Sequence, residues 1–267
     1  MFSKRTIVLF ALILTNVFCA SCGGREEATV SLGPLWKPAG NEGNIIGTIS
    51  FNGEVPAPRK MEMSQDSACE KLGEAFVDDV IVNNGKLQNV FVYVKSGLPK
   101  ATFETPASEV ALDQKGCRYV PRVLGIQTGQ MLKIINSDPT DHNIHPTPKI
   151  NNDWNQTQLA GQGPINRRFT KEEILIPVKC NKHFWMLAWI GVLSHPFYAV
   201  SGTDGAYTIK GLPPGEYEIE VWHEKYGAKT MKVTVKEKAD VLADFTFNGA
   251  KAYRASSLKM QPAMVIP

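Results

Sequence analysis

The stretch Glu173-Ile-Leu-Ile-Pro-Val-Lys-Cys180-Asn-Lys-His183-Phe-Trp-Met186-Leu-Ala-Trp189-Ile-Gly-Val-Leu193 sets two apolar runs on either side of a short polar loop. Runs of this length, rich in Ile, Val and Trp, read as β-strands. The loop between them brings a thiol, an imidazole and a thioether together in Cys180, His183 and Met186. Upstream, the apolar run Met131-Leu-Lys-Ile-Ile135 leads into Asn136-Ser-Asp-Pro-Thr-Asp-His142-Asn143, which adds a second imidazole. One strand end supplying a histidine and another loop supplying three donors is an arrangement that a β-sheet scaffold can hold rigidly.

Working outward, the strand pattern continues on both sides. Ile46 to Phe51 ends at the turn signal Asn52-Gly53, and Val90 to Val94, Glu109 to Leu112 and Ala206 to Ile209 follow the same style. Tyr217 to Trp222, Thr230 to Val235 and Leu242 to Phe247 complete the set, while Met61 to Phe76, holding Cys69, is mixed enough for a short helix. Many short strands separated by Gly/Pro turns, with no long amphipathic helix, predict an all-β sandwich architecture.

The donor set has a definite chemistry. A thiolate and two neutral imidazoles form a soft trigonal plane, and a weak, long thioether can stand on its axis; this is the ligand set of a mononuclear copper centre that cycles one electron. The expected ligands are therefore His142, Cys180, His183 and Met186. Each residue also has an ordinary reading: Cys180 as an inert buried thiol, Met186 as a flexible core filler, and His145 as a competitor of His142. His195 and His223 are expected at turns or on the surface.

The middle of the chain resembles the cupredoxin family. Tyr119-Val-Pro-Arg-Val-Leu-Gly-Ile126, Gly129 to Ile135, Asn136-Ser-Asp138 and His142-Asn143 look like the opening of small blue-copper proteins, and Phe169 through Val192 looks like their closing strand pair. With the continuation His195-Pro-Phe-Tyr-Ala-Val200, the combination is similar to cupredoxin-like proteins labelled methylamine-utilisation proteins, a label that does not imply amine metabolism. The resemblance implies a Greek-key β-sandwich over 105–196 and favours His142 over His145. It also implies a backbone N–H from Asn143 to the Cys180 sulfur, Asn136 and Asn143 as supporting residues, and an exposed His183 ring edge as the electron port. Phe184, Trp185, Leu187 and Trp189 are candidates for an apolar docking face, Trp189 being better suited to the core. Familiar cupredoxins place about four residues between the loop His and Met; here there are two, which puts axial ligation in question.

The C-terminal quarter carries a second resemblance. Thr203-Asp-Gly-Ala-Tyr-Thr-Ile209, Gly211-Leu-Pro-Pro-Gly-Glu-Tyr217 and Val221-Trp-His-Glu224 resemble the carboxypeptidase regulatory-like, transthyretin-like β-sandwich. Its usual opening matches Gly47-Thr-Ile-Ser-Phe-Asn-Gly53-Glu-Val-Pro56 far upstream. The cupredoxin-like segment is thus either inserted into this second sandwich, with 45–104 as its first part and 197–248 as its second, or the tail is a separate appendage. Residues 249–267 carry no readable pattern.

The front of the chain bears on compartment. Lys4 and Arg5, the apolar run from Thr6 to Phe18 and the small residues before Cys22 read as a secretory signal over 1–21 rather than a membrane span. Ala20-Ser21-Cys22 resembles a bacterial lipoprotein cleavage box, with Cys22 as the lipidated terminus and the periplasm or cell surface as destination; simple cleavage near Ala20 is the alternative. Residues 22–44 read as a flexible linker. Cleavage removes Lys4 and Arg5, taking 29 basic residues to 27 against 26 acidic ones, a net charge of +1. Such a balance gives no electrostatic case for nucleic acid.

Outside the leader, Cys69, Cys117 and Cys180 remain. An exported protein pairs its thiols, so Cys69 and Cys117 are expected to form a disulfide and Cys180 to stay free. Two unpaired buried thiols are the alternative. The bridge closes a loop of about fifty residues, worth roughly 3–4 kcal/mol in the chain-entropy model. No paired carboxylates or Ser/His/Asp grouping at a recognisable spacing, phosphate-cradling loop or paired Cys-x₂-Cys motif stands in the sequence. The expectation is an exported, lipid-anchored, non-enzymatic carrier with one copper ion and redox proteins as donor and acceptor. A metal-free structural or carbohydrate-binding lipoprotein, or a copper storage or delivery protein, are the rival classes.

Overall fold

The computed structural model describes residues 33–249. The first strand, Gly43–Asn52, alternates buried and half-buried residues along its length, as period-two patterning against one core requires. It lies antiparallel to Ala206–Leu212 and parallel to both Asp240–Leu242 and Phe245–Asn248. It also meets the small hairpin of Val82–Asn83 and Lys86–Leu87. A second sheet runs Tyr198–Val200, Phe91–Ser96, Gly215–His223, Gly227–Val235. Between these two sheets lies one apolar core holding Ile45, Ile49, Val92, Val94, Ile209, Ile219, Val221 and Phe247. Strands from before residue 97 and after residue 197 therefore share one interior.

The intervening chain builds its own interior. A five-stranded sheet has the order Gln156–Gln158, His142–Pro146, Glu173–Lys179, Leu187–Leu193, Val123–Gln127; a four-stranded one has the order Ile165–Arg167, Leu132–Asn136, Val110–Gln114, Tyr119–Val120. Leu112, Ile126, Leu132, Ile134, Ile144, Val178, Ala188, Ile190 and Val192 fill the space between them, all fully buried. The molecule is all-β, two sandwiches side by side. Ser67–Glu70, inside the stretch expected to hold a short helix, is the one α-helix among the described residues.

The sandwiches meet across a third cluster in which Phe91 and Tyr93 of one pack with Val123, Leu175 and Leu193 of the other. Two glycines make the approach possible. A Cβ on Gly191 would stand 2.3 Å from the Phe91 ring, and one on Gly125 would stand 2.3 Å from Tyr198. Aromatic rings lie flat on bare backbone there, which any larger residue would forbid. Charge closes the same seam: Arg122, only 5% exposed, bonds Glu224 through Nε at 2.5 Å and Asp78 through Nη1 at 2.7 Å.

Several sequence expectations are corrected. The described part of the expected flexible linker, 33–44, is docked: Gly43 and Asn44 already belong to the first strand, Trp36 N–H donates to the Thr102 carbonyl at 2.8 Å, and the Trp36 ring packs on Phe103 and Phe197. Its aromatic ring has an apolar slot to fill, which composition does not reveal. The single run Leu242 to Phe247 divides into Asp240–Leu242 and Phe245–Asn248, both in one register along the first strand, because between them Thr48 N–H donates to the Asp244 side chain, at 2.8 Å, instead of to a backbone carbonyl. His195 stands at a bend, as expected, and His223 at the end of the strand Gly215–His223, but both are buried, 6% and 1% exposed, rather than on the surface. The connector 53–81 leaves the outer sandwich and lays Met61, Met63 and Cys69 into the inner core. The signal segment, Cys22, and 250–267 lie outside the described residues. No helix among the described residues is long and apolar enough to cross a membrane.

Candidate metal centre

Strand pairing brings the distant ligand candidates together. His142 opens the strand His142–Pro146, which runs antiparallel to Glu173–Lys179 with Lys179 opposite His145. Extending that ladder by one residue carries Cys180 alongside the start of the histidine strand. Tyr119 ties the pair from within the core, its hydroxyl donating to the carbonyls of Asn143 and Lys179. The loop then turns tightly: Met186 N–H donates to the His183 carbonyl at 2.9 Å, and His183 N–H donates to Cys180 Sγ at 3.3 Å.

Three donors converge. His142 Nδ1 and His183 Nδ1 stand 2.9 Å apart, Cys180 Sγ is 3.8 Å from His183 Nδ1, and one ligand atom from each of the three residues lies within 4.8 Å of the others. Bonds of ~2.0 Å to nitrogen and ~2.3 Å to sulfur at ~120° separate the two atoms by ~3.8 Å, so the sulfur–nitrogen spacing suits a bound ion. The two nitrogens are a few tenths of an ångström closer than trigonal ligands would sit. All three side chains are buried, His142 and His183 completely. Met186 is buried in the same core cluster, at 2% exposure. His145 is turned away to Asn181 and Asp153, so the geometry favours His142 of the two.

The surroundings favour a thiolate. Burial pushes the Cys180 thiol up, but the two imidazoles and the N–H groups of Asn143 and His183 outweigh it and bring it down to about 6. Asn143 N–H reaches the sulfur at 3.4 Å, as the family resemblance implies. The Asn143 side chain accepts from Asn181 N–H at 3.1 Å and so anchors the ligand loop. Asn136 donates to the Thr140 carbonyl and accepts from Asp138 N–H, closing the turn that leads to His142. Burial works against a charge on His142 also, yet Asp138 and Cys180 hold its protonation above the ordinary histidine value.

Cys69 and Cys117 are joined in a disulfide spanning 48 residues of sequence, and Cys180 is free. The bridge lies behind the imidazoles, with Cys69 Sγ 3.9 Å from His183 Nε2. The other two close groupings, Asp66 with Cys69 and His183 and Cys117 with Asp138 and His142, each include a bridged cysteine. A disulfide sulfur is no thiolate, so among the described residues only the Cys180 grouping offers a metal a strong sulfur ligand.

The expected electron port is overturned. His183 is 0% exposed, because its Nε2 edge is covered by the Asp66 carboxylate at 3.1 Å and by the turn that follows it. The apolar docking face also shrinks. Trp185 is 7% exposed and Phe184 is 69% exposed, while Leu187 and Trp189 are half-buried and Trp189 packs edge-on against Trp222. Trp185 lies over His183 with ring centroids 5.0 Å apart, and Phe184 stands edge-on to Trp185 at 5.3 Å.

Asp66 is the site residue that sequence reasoning missed. Its only local signal is a polar residue before a short helix, and 117 positions separate it from His183. Asp138 stood in the Asn136-Ser-Asp138 stretch, four residues before His142, but nothing there showed that its carboxylate meets the imidazole Nε2, at 2.8 Å.

No protein-family model matches the chain, and no curated protein matches it in sequence. Among solved structures, the copper-containing nitrite reductase of Thermus scotoductus SA-01 is 22% identical over 38% of this chain and 25% of that chain, with a TM-score of 0.30. Amicyanin from Paracoccus versutus is 17% identical over 38% of this chain and 96% of its own, with a TM-score of 0.29. A purple cupredoxin from Nitrosopumilus maritimus is 19% identical, covering 31% of this chain and 98% of that one, with a TM-score of 0.27. This chain thus spans a quarter of the nitrite reductase.

Proposed function

We propose that the protein is a mononuclear copper protein that carries one electron at a time. The observation behind this reading is the convergence of two imidazole Nδ1 atoms and one free cysteine sulfur in a site closed to water. Copper held there supplies a one-electron couple in a soft trigonal donor set. Cys180 would give the thiolate, His142 and His183 the two nitrogens, and Met186, buried in the same core cluster, would be the candidate thioether. The N–H groups of Asn143 and His183 steady the sulfur and moderate its negative charge, and the surrounding core keeps the ligands in one geometry. Such rigidity suits electron transfer, which is fastest when little moves.

With the His183 edge covered, the Trp185 ring and the Phe184 ring edge-on to it are the route to the surface in this reading, and a redox protein would dock near Phe184. Residues 105–196 are a metal-binding sandwich inserted into the second one, a reading supported by the core that the flanking strands share. Export and a lipid anchor on Cys22 are proposed from the leader alone, and a non-enzymatic role from the lack of a recognisable catalytic grouping in the sequence. The closed histidine edge favours one further reading, a copper store or donor that holds Cu(I) without cycling it.

Adding Cu(II) to the purified protein, removing the excess and recording visible and electron paramagnetic resonance spectra tests the centre. An intense thiolate-to-copper band with stoichiometric metal is expected. Folded protein that retains no copper would overturn both metal readings. Retained copper that cannot be reversibly reduced and reoxidised would leave storage ahead of electron transfer.

A further inference from the structure

Both imidazoles are held from behind in the same way. Asp138 Oδ2 lies 2.8 Å from His142 Nε2, and Asp66 Oδ2 lies 3.1 Å from His183 Nε2. A carboxylate only accepts, so each ring carries a proton on Nε2 and turns its Nδ1 edge toward the other donors of the site. The carboxylates are themselves fixed by the two halves of the disulfide. Cys69 N–H and Ala68 N–H donate to Asp66 Oδ1 at 3.3 and 2.9 Å. Cys117 N–H donates to Asp138 Oδ2 at 2.8 Å and Gly116 N–H to Oδ1 at 2.7 Å. Thr140 and Lys182 complete the shell of Asp66.

We propose that Asp66 and Asp138 are positioning residues that present His183 Nδ1 and His142 Nδ1 to the metal, and that the Cys69–Cys117 bridge is the clasp that holds both carboxylates in register. This inference rests on the metal-centre reading for its consequences, though not for its geometry. Carboxylates behind metal-binding histidines fix the tautomer, raise the basicity of the ligand and commonly account for ten- to a hundred-fold in metal affinity. Two of them also place negative charge beside the site, which favours Cu(II) over Cu(I) and lowers the reduction potential. The connector 53–81 thereby has a function: it carries one carboxylate and one half of the clasp from the outer sandwich to the metal end of the inner one.

Asp66→Asn is the discriminating variant. Asparagine still caps the Ser67–Glu70 turn, so the fold is retained, but the amide can turn a donor toward His183 where a carboxylate only accepts. Nitrogen-15 correlation spectra of the metal-free protein should show a proton on Nε2 of both His142 and His183, with His183 altered in Asp66→Asn and His142 unchanged. Cu(II) affinity should fall ten- to a hundred-fold in this variant, and its reduction potential should rise. The double variant Cys69→Ser/Cys117→Ser should shift the potential in the same direction. Unchanged His183 tautomer and potential in folded Asp66→Asn would overturn the proposal. If the parent protein binds no Cu(II), the metal-centre reading fails, and the tautomers of the metal-free protein still decide the positioning role.

Discussion

Four of the protein's histidines are buried, and they are put to opposite uses. His142 and His183 sit with one nitrogen against a carboxylate and the other toward the Cys180 sulfur. His195 and His223 lie among aromatic rings, the first stacked on Phe197 and the second on Tyr226. Each accepts a backbone N–H on Nδ1, from Phe197 and Lys225 respectively. Burial holds both below the ordinary histidine value, at about 4, and Arg122 adds to the effect at His223. Burial alone therefore says nothing about whether a histidine is a ligand. The partner on the far side of the ring decides, because a carboxylate makes the ring a directed donor while an aromatic stack leaves it a neutral spacer.

The largest expected contrast comes from Cys180→Ser. It should abolish any thiolate–copper absorption while leaving the thermal midpoint near that of the parent, because Cys180 is unpaired; a persisting band would show that the metal binds elsewhere. In the metal-free parent, ultraviolet thiolate absorbance should appear as pH rises through about 6, well below the ordinary thiol range, and should be missing from the variant.

Arg122→Ala should be the most destabilising change at the seam between the regions. It leaves Glu224, 6% exposed, and Asp78 without their buried cation, and removing one partner of such a cluster costs about 3–5 kcal/mol. Denaturant midpoints would measure it; a loss below 1 kcal/mol would mean that the two sandwiches do not depend on this tie.

A pH effect separates the histidine pairs. His195 and His223 bind a proton in the unfolded chain near 6.5 and in the folded one near 4. Between those values the unfolded state binds more protons, so their contribution to stability is complete above about 6.5 and is lost as pH falls toward 4. Replacing both with glutamine should flatten that part of the urea stability profile. A profile equally steep in the variant would assign the acid sensitivity to other groups.

The smallest stability effect belongs to Phe184→Ser. An exposed position such as this changes stability by about 0.5 kcal/mol or less, and the copper spectrum should not change. Electron exchange with a soluble redox partner should slow. Equal exchange rates in stopped-flow traces would remove Phe184 from the route.

Much of the inner sheet was legible from residue types. Leu132–Asn136, Glu173–Lys179 and Leu187–Leu193 follow the apolar runs closely, because each must set apolar residues on at least the face it turns to the core. Short edge strands such as Gln156–Gln158 and Ile165–Arg167 left no such trace, since their polar residues are compatible with loop. At the site, Cys180, His183 and Met186 were readable as neighbours in sequence and His142 by its match to a family pattern. Asp66 was not, because a hydrogen bond across 117 residues has no local signature.

By itself the sequence determined the all-β character, the soft donor set and the one thiol left over when Cys69 and Cys117 pair. These follow from side-chain chemistry, periodicity and parity, which are properties of the chain read locally. Only the tertiary structure decided that His183 is sealed behind Asp66, that His195 and His223 are buried, and that the disulfide stands behind the two imidazoles. Those depend on which distant segments share a surface, and that is settled by the packing of two cores against each other.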